Sequence, residues 1–404
     1  MASLKNRWAI LALLFFARVP MAMQFHSIPP IIPYLIEDLG IGYTQVGLLI
    51  GVFMTAGIFL ALPAGMLGQR FGDRAVVLAG LAVMTLGEVL FANAHSFSLA
   101  FAGRLLGGVG VVLLHVQITK ITADWFAERE ISTAMSILMT SWPLGIALAL
   151  STLGYVAMAF SWQTAIYITA GFSGVSLLAF GLLYSDPPTP ELVSDSGSET
   201  PRIWAISKVE LVVIVAGGLV WLLPNAGFIV FLSFTPALLV AGGMAVAQAG
   251  FTISIVTWIS IGSHPIGGWL TDRTGRVNLF IVVGCTVCSV AIWLLPVGGP
   301  ILVWVILFGL AVGSYPGAIM ALPGQVLSAN GRNTGFGVFY TVYYVGMAIF
   351  PPIAGWLLDS TGKADASVMF GGLLFVLAIV ALGVFRLLQK RWLPKKSLAT
   401  ANPS

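Results

Sequence analysis

Apolar runs long enough to cross a bilayer recur from one end of this chain to the other. A hydrocarbon core of ~30 Å needs about 20 consecutive apolar residues in helical form. With no water in that core, such a segment must satisfy its backbone groups internally, which a helix does. Twelve spans can be laid down, at 8–35, 43–68, 75–93, 98–122, 131–157, 162–184, 208–240, 245–270, 277–295, 300–327, 333–358 and 366–388. Only 8% of residues are charged, against about 25% in soluble domains. The expected fold class is an all-α polytopic membrane protein, embedded in a lipid bilayer. The net charge of +4 follows from where the basic residues sit and does not point to nucleic acid.

Most connections between spans are short. The stretch 185–207 is longer and holds Pro187, Pro188, Pro190 and Pro201 among Ser, Asp, Glu and Gly. That composition makes a flexible polar linker. It separates an N-terminal half of six spans, 1–184, from a C-terminal half of six, 208–404. With the N-terminus inside, 16 of the 19 basic residues fall on the cytoplasmic side: Lys5, Arg7, Arg70, Arg74, Lys120, Arg129, Arg202, Lys208, Arg273, Arg276, Arg332, Arg386, Lys390, Arg391, Lys395 and Lys396. Lys363 alone lies outside, and Arg18 and Arg104 lie within spans. By the positive-inside rule both termini and the linker are expected in the cytoplasm. The apolar N-terminal stretch is too long for a signal peptide and lacks a following cleavage site, so it reads as the first retained span.

The halves repeat. GMLGQRFGDR, from Gly65 to Arg74, follows span two, and GWLTDRTGRV, from Gly268 to Val277, follows span eight at an offset of 203. The same offset carries Pro33 to Pro236 and Val109-Gly110 to Val312-Gly313. One register joining three separate places implies two parallel structural repeats about a central axis.

Arg18 is the residue with the sharpest functional claim. It lies ten residues beyond Trp8, where the first span begins. At ~1.5 Å per residue that is about 15 Å deep, close to the midplane. A central Arg costs about 2.5 to 3.5 kcal/mol on insertion scales, so it turns toward a partner or a wet cavity. We expect it to anchor an anion such as a carboxylate; the competing reading is an interhelical ion pair or a clamp on carbonyl oxygens. The one deep carboxylate in the spans is Glu88. It sits at a depth similar to Arg104, so Glu88 is a structural ion-pair or proton candidate. Arg104 is open between pairing with Glu88 and substrate contact. Arg104, Gly108, Val111 and His115 share one helix face, and Gly107, Gly108 and Gly110 leave it thin, for close packing or open volume. His115 is read as a substrate or proton ligand, or as a buried donor to a carbonyl. His26 and His264 have weaker claims; His264 precedes Pro265 and could satisfy backbone groups that the proline frees.

In the C-terminal half the candidates are aromatic. Trp221, Asn225 and Phe228 share a face of span seven, and Tyr340, Tyr343 and Tyr344 cluster in span eleven. The offset places Trp221 opposite Arg18. A pocket with charge from one half and aromatic and hydroxyl groups from the other suits an organic anion with an apolar or planar body; the plainer reading is aromatics that pack or face lipid. Cys285 and Cys288 are taken as small helix residues, and no metal or cofactor is expected. No phosphate loop or nucleophile triad suggests an enzyme.

The run GWLTDRTGR, from Gly268 to Arg276, resembles the cytoplasmic loop signature of the major facilitator superfamily. The copy after span two keeps Gly65, Leu67, Arg70, Gly72 and Arg74, with Gln69 where the family usually has Asp. With the repeat and the linker, the resemblance covers the whole chain. It implies the major facilitator fold, alternating access, spans one, four, seven and ten around the cavity, and loop residues (Gly65, Arg70, Asp73, Arg74, Gly268, Asp272, Arg273, Arg276) that latch or anchor the halves. RLLGGVG, from Arg104, resembles the span-four arginine motif. TADWFAERE, from Thr122, resembles the segment after span four in anion-type members. The stretch from Leu322 to Gly362 resembles the cyanate-permease-like branch, a sequence label that does not assign cyanate as substrate. Sugar-acid symporters of the anion branch carry acids where this chain has Ala17 and Val111, so proton symport by that route is not expected. Facilitated diffusion, exchange, or coupling through Glu88 or His115 remain open.

Together these readings make the chain a secondary active or facilitative transporter of a small organic anion. It is expected to be monomeric and to sit in a bacterial inner membrane. The alternatives are an exporter of neutral or cationic small molecules, with Arg18 purely structural, and a non-transporting membrane sensor.

Overall fold

The computed structural model describes residues 6–126, 130–185, 206–327 and 332–392. The linker at 186–205, the surroundings of Gly65 and Arg332, and the basic residues Lys5, Arg129, Arg202, Lys395 and Lys396 lie outside the described residues. The described chain carries twelve helical stretches long and apolar enough to span a membrane.

In the N-terminal half these are α1 (Arg7–Phe25), followed by a 3₁₀ turn (Pro29–Ile31) and the short α2 (Ile32–Leu39), then α3 (Tyr43–Phe71), α4 (Asp73–Ala92), α5 (Phe97–Phe126), α6 (Ile131–Ala159) and α7 (Trp162–Leu183). The C-terminal half has α8 (Lys208–Ala241), α9 (Val246–Thr274), α10 (Val277–Leu294), α11 (Ile301–Val312), the short α12 (Tyr315–Met320), a 3₁₀ turn (Pro323–Gln325), α13 (Arg332–Thr361) and α14 (Ala364–Trp392). Within one half α5 packs on α3 and α4, and α1 on α6 and α7; within the other α8 packs on α13 and α14, and α9 on α11. The halves meet along two seams, α3 on α13 and α6 on α9.

Two expected spans are not continuous helices. The span at 8–35 breaks after Phe25, because Pro29 and Pro30 have no N–H to bond the carbonyls four residues earlier, those of Phe25 and His26. The span at 300–327 breaks at Gly313 and Ser314, just ahead of Pro316. Both signals were in the sequence, and hydropathy alone overrides them. The repeat is visible in the two motif turns. Gly72, between α3 and α4, has φ +83°, and Gly275, between α9 and α10, has φ +65°. They are related by the same offset of 203, and each has a positive φ that favours glycine.

The seams are closed at the end of the bundle remote from the termini. Gly51 of α3 lies against the Ala348 carbonyl, and Gly355 of α13 against the backbone of Tyr43, with no room for a β-carbon at either place. On the second seam Gly250 approaches the Leu150 carbonyl. At the rim of the first seam, Asp359 of α13 caps α3 from the other half. Its carboxylate accepts from Tyr43 N at 2.9 Å, Thr44 N at 2.7 Å and Thr44 Oγ1 at 2.6 Å. The N-cap of α3 is Gly42, which has no side chain to do this. The carboxylate also meets the positive end of the α3 dipole.

Asp359→Ala therefore favours opening at this end. The expected shift is about 1 kcal/mol, allowing for solvent exposure of the site. Electron-spin distance measurements between labels on the outer ends of α3 and α13 check it; an unchanged distance distribution rejects the latch.

Candidate functional site

Two arginines are buried in the N-terminal half, and the structure treats them differently. Arg104 of α5 is fully buried, and all three guanidinium nitrogens donate to protein groups. Nη1 donates to Glu88 Oε1 of α4 at 3.2 Å and to the Gln24 carbonyl at 2.7 Å. Nε donates to the Leu49 carbonyl at 3.2 Å, and Nη2 to the Phe25 carbonyl at 3.3 Å. The guanidinium carbon also lies 4.2 Å from the centre of the Phe53 ring. Glu88 takes a further bond from Thr169 Oγ1 at 3.2 Å. Of the two roles open to Arg104, the ion pair with Glu88 is the one formed, and four of the five guanidinium N–H groups are engaged within the protein. The Gln24 and Phe25 carbonyls belong to the last turn of α1, where intrahelical partners run out. One guanidinium thus ties the break in the first span to α3, α4 and α5.

Arg18 of α1 is also buried, at 3% exposure, but no carboxylate among the described residues pairs with it. Nη1 donates to the Leu138 carbonyl of α6 at 3.2 Å; Nη1 and Nη2 lie 3.5 and 3.6 Å from Met139 Sδ. Nε has no partner. His115 of α5 and, from the other half, Tyr340 of α13 lie close enough to feel its charge. The guanidinium is therefore a charge held by one carbonyl and a thioether, with an unused donor.

The C-terminal half carries the aromatic candidates. Along α8 from Val220 to Pro236 every residue is buried except Trp221, Asn225 and Phe228, spaced on one face. The Trp221 indole stacks near Phe339 at 6.4 Å and Tyr343 at 6.1 Å, and its Nε1 has no partner. Asn225 Nδ2 donates to the Trp221 carbonyl at 2.7 Å. Phe228 lies parallel to Phe308 at 6.1 Å. Tyr340 is 37% exposed, with its hydroxyl 3.9 Å from Met320 Sδ. Tyr344 sits 5.3 Å from Tyr343 and packs its ring on Gly57 of α3, which puts it in the seam between halves. Phe339, Met139 and Met320 were not singled out from the sequence. Phe339 completes the stripe Phe336, Phe339, Tyr340 and Tyr343 at helical spacing and was legible; the two methionines carried no signal.

The other candidates fall elsewhere. Gly108 abuts the Phe53 carbonyl, so the thin face of α5 serves close packing with α3. His264 Nδ1 lies 2.7 Å from the Ser260 carbonyl, one residue from the carbonyl that Pro265 frees. In the loop motifs Asp73 pairs with Lys120 at 2.7 Å, and Arg74 donates to the Gly181 carbonyl at 2.8 Å. Arg70 lies over Phe71, and Arg273 over Trp269. Asp272, Arg273 and Arg276 are exposed, and among the described residues no ion pair joins them to the opposite half. Gly268 has open space beside it.

The model of the Major Facilitator Superfamily matches this sequence over residues 14–351 and again over 243–403. The chain belongs to the Major Facilitator Superfamily. It is 27% identical to the 3-(3-hydroxy-phenyl)propionate transporter of Escherichia coli (strain K12), over 84% of this chain and 85% of that protein. It is 24% identical to monocarboxylate transporter 12 of Rattus norvegicus, over 82% of this chain and 75% of that one. In fold it is similar to the crystal structure of the nucleoside transporter NupG, with a TM-score of 0.75, 14% identity, and coverage of 95% of this chain and all of that one. The chain is thus an integral membrane transporter rather than an enzyme.

The two arginines predict opposite responses to the same change. Arg104→Met strands Glu88 and several carbonyls in the core and destabilises by about 3 to 5 kcal/mol. Arg18→Met strands no carboxylate and leaves stability near that of the parent. Melting temperatures of the purified variants in detergent check this; equal losses reject the distinction.

Proposed function

We propose that this transporter carries a small organic anion, with a carboxylate or similar group and an apolar or planar body, by alternating access. The observation that carries the reading is a buried guanidinium, Arg18, with no carboxylate and a free Nε, across the halves from an aromatic wall containing an unpartnered indole N–H. A carboxylate has four acceptor sites and can take donors from both. Trp221, Tyr343 and Phe228 provide the faces for the body, backed by the buried Phe339, and Tyr340 and His115 the adjustable polar contacts. Relatives named as transporters of a hydroxyphenylpropionate and of monocarboxylates support the same class.

The mechanism follows from the seams. Closure around Gly51, Gly355 and Asp359 shuts one end, so the anion exchanges at the other; rocking about the site reverses this. The anion completes the coordination of Arg18 and compensates its charge in the low dielectric. Ala17 and Val111 supply no proton carrier beside the arginines, and Glu88 is occupied by Arg104, which favours facilitated diffusion or exchange. In this proposal Arg104 and Glu88 are structural. The chain acts as a monomer of two six-helix halves in a bacterial inner membrane. The positive-inside distribution supports cytoplasmic termini.

Reconstituted vesicles test the reading with a panel of aromatic and aliphatic monocarboxylates beside neutral and cationic solutes. Flux of the accepted acid falls about 100-fold in Arg18→Gln, the loss of a charge-assisted pair of bonds. Trp221→Phe, which keeps the ring and removes the N–H, lowers it about five-fold. Preference for a cation, or flux untouched by Arg18→Gln, overturns the proposal.

A further inference from the structure

We propose that the face carrying the termini holds an anionic phospholipid in a pocket between α10, α14 and the turn after α12. This site is separate from the central one and does not depend on it. The pocket has a volume of about 410 Å³, and Arg276, Asn278, Leu279, Gln325 and Arg386 are among its lining residues. Its lining includes no acidic residue.

Arg386 is organised there by neutral groups alone. Nε and Nη2 donate to Asn278 Oδ1 at 2.8 and 2.6 Å, and Nη1 to Gln325 Oε1 and Gln389 Oε1, both at 2.7 Å. Three amide oxygens fix the guanidinium in place and cancel none of its charge. Among the described residues no salt bridge involves Arg276 or Arg386. Asp272, the carboxylate nearest to Arg276 in sequence, does not line the pocket. The result is a recess with two positive charges, that of Arg386 held in place, and no acidic residue in its lining. The first turn of α10 opens beside it, with no side-chain cap at Arg276, and adds to the positive potential.

The surroundings choose between a lipid and a free oxyanion. Leu279 lines the recess and is 47% exposed; Val283, one turn along α10, and Leu387, next to Arg386, are exposed too. These apolar side chains lie on the bilayer-facing surface, where acyl chains run past the recess. Lys390 and Arg391 continue the positive charge one turn beyond Arg386. A basic pocket between helices at the cytoplasmic interface, with an apolar lip, matches a phosphodiester headgroup whose chains stay in the membrane. Free phosphate would gain from the arginines but nothing from the lip.

Native mass spectrometry of the full chain in detergent, titrated with phosphatidylglycerol or phosphatidylcholine of the same chains, tests the site. The expected result is preferential retention of one phosphatidylglycerol. That preference falls about five-fold in Arg276→Gln, the worth of one interfacial charge. It falls similarly in Arg386→Gln and stays unchanged in Arg391→Gln, which lies outside the recess. Arg276 is exposed, so its variant carries the test even if Arg386→Gln fails to fold. Three results overturn the proposal: no preference in the parent chain, equal losses in all three variants, or displacement of the lipid by inorganic phosphate at comparable concentration. The last would make the recess a free-oxyanion site.

Discussion

A charge in a hydrocarbon core must find its partners inside the protein, and this requirement organises the N-terminal half. Arg104 meets it with one carboxylate, three carbonyls and the face of Phe53, engaging all three of its nitrogens. Breaking any part of that set leaves a buried polar group without water. The guanidinium therefore holds the last turn of α1 in register with α3, α4 and α5. The chain is free to break after Phe25 because Arg104 takes up the carbonyls that the break exposes.

Arg18 meets the same requirement only in part, and the proposed function rests on that shortfall. One carbonyl and a thioether are weak company for a buried cation. In the proposed function an anionic solute supplies what is missing while the halves surround it. The facing wall is suited to this because aromatic rings tolerate an apolar body and a cation alike, while the Trp221 N–H adds a donor. The broken first and tenth spans border this region, as discontinuous helices often do where a transporter binds its load. Glycines in both seams let the backbones touch at one end, and Asp359 ties the rim. An interface built from backbone contact and a few exposed hydrogen bonds can open without unfolding either half.

Much of this was legible in the residue order. Hydropathy located the spans, the loop motifs marked the turns at Gly72 and Gly275, and helical spacing marked Trp221, Asn225 and Phe228 as one face. The place of Arg18 inside the first apolar helix was readable by counting. The breaks at Pro29-Pro30 and at Gly313-Ser314 were readable too, but an averaging view of apolar runs passes over them. The Arg104 clamp was half legible. Glu88 is visible as a matching charge, whereas carbonyls carry no mark in a sequence, and they take most of the bonds. The cap that Asp359 places on α3 could not be found by inspection, since the two lie on opposite sides of the linker. Met139 and the exposed state of Asp272 were equally silent.

The amino-acid order alone determined that the chain spans a membrane as two six-helix repeats, because the length of an apolar run and the offset between repeats are local, one-dimensional quantities. It also determined that two guanidinium groups lie in the bilayer. Which of the two is paired with a carboxylate and which keeps an unpartnered Nε was decided only by tertiary structure. That outcome depends on where carbonyl oxygens, sulfur atoms and a single carboxylate come to rest around each charge, and those positions exist only once the helices have packed.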